Sequence, residues 1–131
     1  MIIKTEKGKL LDGVPFGDAL HRDFELRLPV LADTGQALDD AEDRFGTTDG
    51  FAADAFYRAA VMASTLESLG GIPKEELTAE LLYDNLTGED YDVLHTARER
   101  LKAKRKDENP GSSDSASLSS PSDAAESAKN A

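Results

Sequence analysis

Between His21 and Asp33 the chain reads HRDFELRLPVLAD, and residue type alternates position by position. In an extended chain Arg22, Phe24, Leu26 and Leu28 fall on one side, and Asp23, Glu25 and Arg27 on the other. A period of two fits a half-buried strand and no helix. Pro29 ends the pattern, because a residue without an N–H suits a strand end or a sheet edge. Such a strand needs a partner. The preceding KLLDGVPFG offers one, with Leu10, Val14 and Phe16 at even positions and Asp12–Gly13 as a turn or bulge between them. Ile2 and Ile3 either belong to that first strand or fray. The simplest arrangement is an antiparallel hairpin over about 9–31. A lone hairpin is marginal in water, so it must lean on helices or pair its edge with another chain.

Everything after Pro29 is punctuated as helices. TGQALDDAEDRFG, residues 34–46, places Ala37, Leu38, Ala41 and Phe45 on one face, with Gly46 as a stop. TTDGF supplies capping residues. A long helix over 51–69 follows, with Phe56, Ala59, Ala60, Ala63, Leu66 and Leu69 at helical spacing and Gly70–Gly71 as its end. IPKEELTAELLYDNL starts a third helix, with Pro73 near its first turn, Glu75 and Glu76 at the positive end of the dipole, and Leu77, Leu81 and Leu82 inward. TGED reads as a capping box from Thr87 to Asp90, with Asp in place of Glu. It opens a last helix to Lys106, with a stripe of Tyr91, Leu94, His95, Arg98 and Leu101 and a basic C-terminal end. From Asp107 the text is almost wholly Ser, Ala, Asp, Gly and Pro. A segment of that composition buries too little surface to offset its ordering entropy, which predicts a disordered tail over 107–131. The expected architecture is α+β: a β-hairpin, a small bundle of three to four helices within 1–106, and the tail.

The chain has 131 residues, no Cys and no Trp, and a formal net charge of -11. Without cysteine there are no disulfides, no thiolate nucleophile and no cysteine-ligated metal. The negative charge repels nucleic-acid phosphates, and aromatics are not interleaved with the basic run at 98–106. A solubilising helix end accounts for that run best, a docking site for an acidic partner is the alternative, and a nucleic-acid patch comes behind both. The N-terminal MIIKTEKGKLL is broken by Lys4, Glu6, Lys7 and Lys9 and is no signal peptide. No apolar run approaches the roughly 20 residues that span a bilayer. These features predict a soluble intracellular protein without nucleic-acid or membrane partners.

Motifs for catalysis are missing. The sequence holds no P-loop, no G-x-G-x-x-G and no G-x-S-x-G, and its serines concentrate in the tail. His21 and His95 are not placed together, so neither reads as a metal ligand. The acidic run Asp39, Asp40, Glu42 and Asp43 lacks the spacing of a calcium loop and reads as a solvated helix face. We therefore expect no enzyme, no metal and no cofactor, but a scaffold that binds.

The order of elements resembles one family. A β segment ends in Leu26-Arg27-Leu28-Pro29, followed by an acidic helix with Asp39-Asp40-Ala41-Glu42 and by AADAFYRAAVMASTLESLGGI. Then comes a Leu-rich helix, and finally Leu86-Thr87-Gly88-Glu89-Asp90-Tyr91-Asp92-Val93-Leu94. Over roughly residues 10–101 this is similar to the tail assembly chaperones of Mu-like and P2-like contractile-tailed phages. The front segment is less regular than the family's hairpin, and the Ser-rich tail lies outside the pattern. The resemblance implies a protein of the bacterial host cytoplasm, absent from the finished virion. Its implied partner is the tape measure protein, kept soluble until tube subunits polymerise around it. A longer form made by ribosomal frameshift would recruit the tail tube protein, and self-association is a further expectation.

A chaperone for an amphipathic helix needs an apolar groove and a soluble exterior. Phe56, Ala60 and Ala63 of the Ala-rich helix, with Leu77 and Leu81, are the candidates for that groove, or else they are simply core. Phe24, Leu26 and Leu28 would cover the helices while the strand's free edge pairs with a partner. Candidate partner-binding residues are Phe24 and Leu26, together with the aromatics Phe51, Tyr57, Tyr83 and Tyr91. Two other classes compete: a small structural tail or head-completion component retained in the virion, and an acidic regulatory protein of antitoxin type.

Overall fold

The computed structural model describes residues 4–108. Ile2, Ile3 and the predicted tail from residue 109 onward lie outside the described residues. Among those described, the order is β1 (Thr5–Phe16), β2 (Ala19–Arg27), α1 (Leu31–Phe45), α2 (Phe51–Thr65), β3 (Leu66–Leu69), a short 3-10 turn (Lys74–Glu76), α3 (Ala79–Asn85) and α4 (Gly88–Glu108). This is the expected α+β class. Residues up to Glu99 form one compact unit, and the chain from Arg100 belongs to a second.

The hairpin is longer at its start and shorter at its end than expected, and its turn is the two residues Gly17 and Asp18 between the paired Phe16 and Ala19. Its strands pair antiparallel from Thr5↔Arg27 to Lys9↔Asp23 and again from Val14↔His21. Between these runs residues 10–13 stand opposite Arg22 alone, so the Asp12–Gly13 irregularity is a bulge within one strand. Phe24 and Leu26 turn inward, 3% and 0% exposed. Gly8 faces Phe24 across the ladder, and a Cβ there would stand 2.5 Å from the Phe24 ring. The opposite face is polar. The Thr5 hydroxyl donates to Glu25 (2.6 Å), and Lys9 pairs with Asp23 at 3.6 Å, both side chains largely in solvent.

The long helix expected over 51–69 is two elements. α2 stops at Thr65, and Leu66–Leu69 forms β3, antiparallel to β2 through Phe24↔Leu69, Glu25↔Ser68 and Leu26↔Leu66. Leu66 and Leu69, both 0% exposed, are three apart. That spacing serves a helical stripe and a bulged strand equally well, which is why periodicity misreads it. The tie is broken by backbone hydrogen bonding: β2 has a second edge whose donors and acceptors need partners. The Thr65 hydroxyl bonds back to the Met62 carbonyl (3.0 Å), and the Gly70 N–H donates to the Asp23 carbonyl (2.6 Å) to close the pairing. The sheet order is therefore β1-β2-β3. β2 is the central strand, and from Asp23 to Leu26 its second edge is taken by β3 and Gly70.

α1 starts three residues earlier than predicted. Gly46, in the left-handed region at φ 74°, ends it as expected. Ala37 and Ala41 face inward, but Leu38 is 42% exposed and does not belong to the buried face. The third predicted helix is broken. Lys74–Glu76 is a 3-10 turn, and α3 begins only after Thr78, whose hydroxyl accepts the Leu81 N–H at 3.1 Å. Leu77 and Leu82 are buried, while Leu81 is half-buried. α4 runs two residues beyond the predicted end. On it Leu94 and Ala97 are buried and His95 is exposed, so His95 leaves the predicted stripe.

The Thr87–Asp90 capping box is half formed. The Thr87 hydroxyl accepts the Asp90 N–H (3.1 Å), but the Asp90 carboxylate does not reach back along the helix. It is 0% exposed and aims at the β1 bulge. There it accepts the N–H groups of Leu11 (2.7 Å), Asp12 (3.1 Å) and Gly13 (2.9 Å). Bulging takes these donors out of the ladder, and a buried N–H without a partner costs about 1–3 kcal/mol. Replacing Asp90 by Ala should lower unfolding stability in urea by about 3 kcal/mol. Asp90→Asn, which keeps one acceptor oxygen, should cost less, and the exposed Asp92→Ala close to nothing.

Candidate functional site

A groove of about 450 Å³ opens beside Arg27, between α1, α2 and residues 74–80. Ala60 and Ala63 of α2 form its floor, Asp33 and Asp40 belong to its α1 side, and Leu77 and Glu80 to the opposite side. α2 supplies a small-residue floor because its apolar positions are mostly alanines, with eight of its residues buried. Ala60, Ala63 and Leu77, three of the residues expected to form a groove or else core, line this opening but are 3%, 5% and 6% exposed and belong to the core. Phe56 is 0% exposed and belongs to the core, where it packs with Ala37 and Ala41. Leu81 does not line the groove.

A charge network controls one end. The Arg27 guanidinium makes a bidentate pair with Asp33 (2.8 and 3.1 Å) and donates to the carbonyls of Leu28 (3.0 Å) and Ser64 (2.9 Å). Its Nε stands 3.1 Å from Glu67 of β3. Asp33 also accepts the Val30 N–H at 2.7 Å, so it caps the first turn of α1 while neutralising Arg27. The bond from Arg27 holds the Asp33 carboxyl below the usual carboxylate range against the opposing effect of burial, and the Val30 N–H adds to it. The same bond raises Arg27 above its ordinary value. Lys74 points its ammonium at the Leu66 and Ala63 carbonyls, and burial pulls its pKa down. In the sequence Arg27 stands out only as part of the Leu26–Pro29 motif. Arg followed by Asp six residues later, across a strand end and a helix start, is the one signal that points to the pair.

The predicted anchor residues scatter. Phe24 and Leu26 lie in the core under the sheet and present no side chain to a partner, which removes both from the candidates. Phe51 stands at the start of α2 and is 97% exposed. Tyr57 is half-buried against the Ala37–Ala41–Phe56 cluster. Tyr83 stacks edge-on with Phe45 and Phe56 (6.1 and 5.3 Å), and the Arg44 guanidinium covers all three rings at 5.1–5.6 Å. Tyr91 lies under Arg58 (5.4 Å). Tyr83 and Tyr91 do meet, in a smaller pocket of about 190 Å³ with Ala59 and Leu82. Phe51 and Tyr57 line neither this pocket nor the groove.

Among the described residues no helix is long and apolar enough to cross a membrane, and no three His, Asp or Glu side chains gather as a metal site. Compared with family models, curated proteins and solved structures, the chain matches none.

The Arg27–Asp33 pair gives stability a defined pH dependence. A carboxyl whose folded pKa is depressed adds stability that is complete above its unfolded value, about 3.9, and is lost as pH falls through the folded value. Thermal melts should show the wild type losing its advantage over Asp33→Asn as pH drops from 6 toward about 3. A constant difference between the two proteins over that range would show that Asp33 ionisation does not stabilise the fold.

Proposed function

We propose that this protein is a phage tail assembly chaperone that binds the tape measure protein and keeps it soluble before the tail tube forms. The reading rests on the ordered motifs Leu26-Arg27-Leu28-Pro29 and Leu86 to Leu94, and on one structural observation. That observation is the groove of about 450 Å³ between α1, α2 and residues 74–80. Ala60, Ala63 and Leu77 line it but are themselves nearly buried, so a partner in it meets chiefly its polar rim. The exposed Phe51 is a further anchor at the head of α2. Holding the client reversibly requires a shallow, open site, because the chaperone must leave as tube subunits arrive.

Co-expression with the long helical protein encoded downstream tests the proposal. The client should move from the insoluble to the soluble fraction and co-purify with the tagged chain. Truncation after residue 108 should leave that capture intact. A client that stays insoluble in the presence of well-folded chain overturns the reading.

A further inference from the structure

β1 forms one edge of the three-stranded sheet, and the direction of its backbone groups shows which part of that edge is open. The Asp23 carbonyl accepts from Gly70 on the β3 side, so Asp23 does not bond to Lys9, its partner on β1. In an antiparallel pair such residues alternate with those that exchange both bonds, and they turn N–H and C=O away from the partner strand. Lys9, Lys7 and Thr5 therefore point these groups outward. Leu11, next in the series, gives the same direction: its N–H leaves the sheet to meet the Asp90 carboxylate at 2.7 Å. From Leu11 to Gly13 the first turn of α4 closes the edge. From Thr5 to Lys9 the outward groups have no partner among the described residues. The Lys7 and Lys9 side chains beside them are exposed. Lys9 meets Asp23 only at 3.6 Å and is 69% exposed, and Lys7 has no ion-pair partner among the described residues.

We propose that the Thr5–Lys9 edge of β1 takes an extended acidic segment of another protein as a fourth strand, with Asp or Glu at the alternate positions beside Lys7 and Lys9. The lysines select the occupant. A second copy paired antiparallel about Lys7 would set that lysine against its own counterpart, and like charges directly opposite destabilise a strand pair. Edge lysines guard a sheet against such self-pairing, and the same charges favour a strand of opposite sign. β2 already shows the pattern on the inner side of β1, with Glu25 opposite Lys7 and Asp23 opposite Lys9. The edge also takes a carboxylate within the chain, where Asp90 meets it. Main-chain hydrogen bonds supply affinity in this mode, and the side chains beside them supply choice. The edge lies apart from the groove, and its use is independent of the tape-measure reading.

Two synthetic peptides of about ten residues, some 33 Å when extended, test the edge. Both alternate Thr with a charged residue, Glu in one and Lys in the other. Binding to the full chain is measured by fluorescence anisotropy, and its place by amide hydrogen exchange. The net charge of -11 opposes any acidic ligand at long range, so the comparison is made at about 0.15 M salt, where screening over about 8 Å leaves mainly the neighbouring lysines. The Glu peptide should bind at least about five-fold tighter than the Lys peptide. It should slow exchange at the outward N–H groups of Lys7 and Lys9 and leave Gly8, bonded within the ladder, unchanged. Lys7→Pro deletes one outward N–H at an edge position that tolerates proline, so it should abolish binding with little change in Tm. Lys7→Gln loses the same charge but keeps the N–H, and should retain measurable binding. Exchange on the wild-type protein carries the test if the proline variant does not fold. Equal affinities, no binding of the Glu peptide, binding without slowed exchange at Lys7 and Lys9, or undiminished binding by Lys7→Pro would each overturn the inference. Slow exchange at Lys7 and Lys9 without peptide would overturn it as well. The edge would then belong to a second copy if the protection grows with protein concentration, or to residues 109–131 if truncation after residue 108 removes it.

Discussion

Arg27 has five N–H groups, and the fold supplies an oxygen for each from four directions. Asp33 comes from α1, the Ser64 carbonyl from the end of α2, Glu67 from β3, and the Leu28 carbonyl from the residue that follows β2. A planar fork with fixed donor directions satisfies such a set only when all its partners are in place. The side chain thus works as a geometric gauge. It tells where β2 ends, how α1 leaves it, and how closely the end of α2 approaches the sheet. Lysine, a single rotatable ammonium, could neutralise Asp33 but could not fix the other three at once. The groove begins beside this junction, so its width at that end is set by the same bonds.

Asp90 solves a different problem with the same economy. It is a buried carboxylate satisfied by backbone N–H groups rather than by a cation. Those N–H groups exist as free donors because β1 bulges, and the bulge persists because the donors are occupied. Each would be costly without the other. The result ties the first turn of α4 to a strand nearly eighty residues earlier in the chain. Thr87 strengthens the tie from both sides: its hydroxyl accepts from the Asp90 N–H and donates to the Asp12 carboxylate (2.9 Å). One charged junction therefore joins β2, α1, α2 and β3, and another joins β1 to α4.

Local pattern in the sequence reports elements well where only one structure explains it. The alternation from Arg22 to Leu26 has no helical reading, and the strand is where it is expected. Gly46 has a single use at the end of an amphipathic run, and α1 stops there. Pattern fails where two structures share it. Leu66 and Leu69 suit a helix stripe and a bulged strand alike, and only the unpaired edge of β2, a non-local fact, decides between them. The same holds for the site. Ala60, Ala63 and Leu77 are legible as groove candidates because small residues at helical spacing invite close approach. Phe24 and Leu26 look like possible anchors because an edge strand leaves one face available. Once β3 covers that edge and the helices cover that face, both are core. Tyr83 and Tyr91 stand out separately, as aromatics near the apolar stripe. That they share a pocket is a matter of tertiary placement, since its lining comes from α2, α3 and α4 together, which sequence spacing does not encode.

The groove itself comes from a failed helix. Residues 73–86 carry the punctuation of one continuous helix, with Pro73 in its first turn and acidic residues behind it. Instead the chain makes a single 3-10 turn, leaves the helical conformation at Leu77 (φ -82°, ψ 77°), and restarts at Thr78 with a fresh cap. Lys74 favours this path, because its ammonium reaches the carbonyls at the end of α2 only if the backbone stays close there. The residues lining the groove opposite α1 are those of the break: Lys74, Leu77, Thr78, Ala79 and Glu80. An unbroken helix would place a regular ridge of side chains over the Ala60 and Ala63 floor and fill it by ridge-into-groove packing. By breaking, the chain buries Leu77 to complete its own core, and Ala79 of the restarted helix joins Ala60 of α2 in the core cluster.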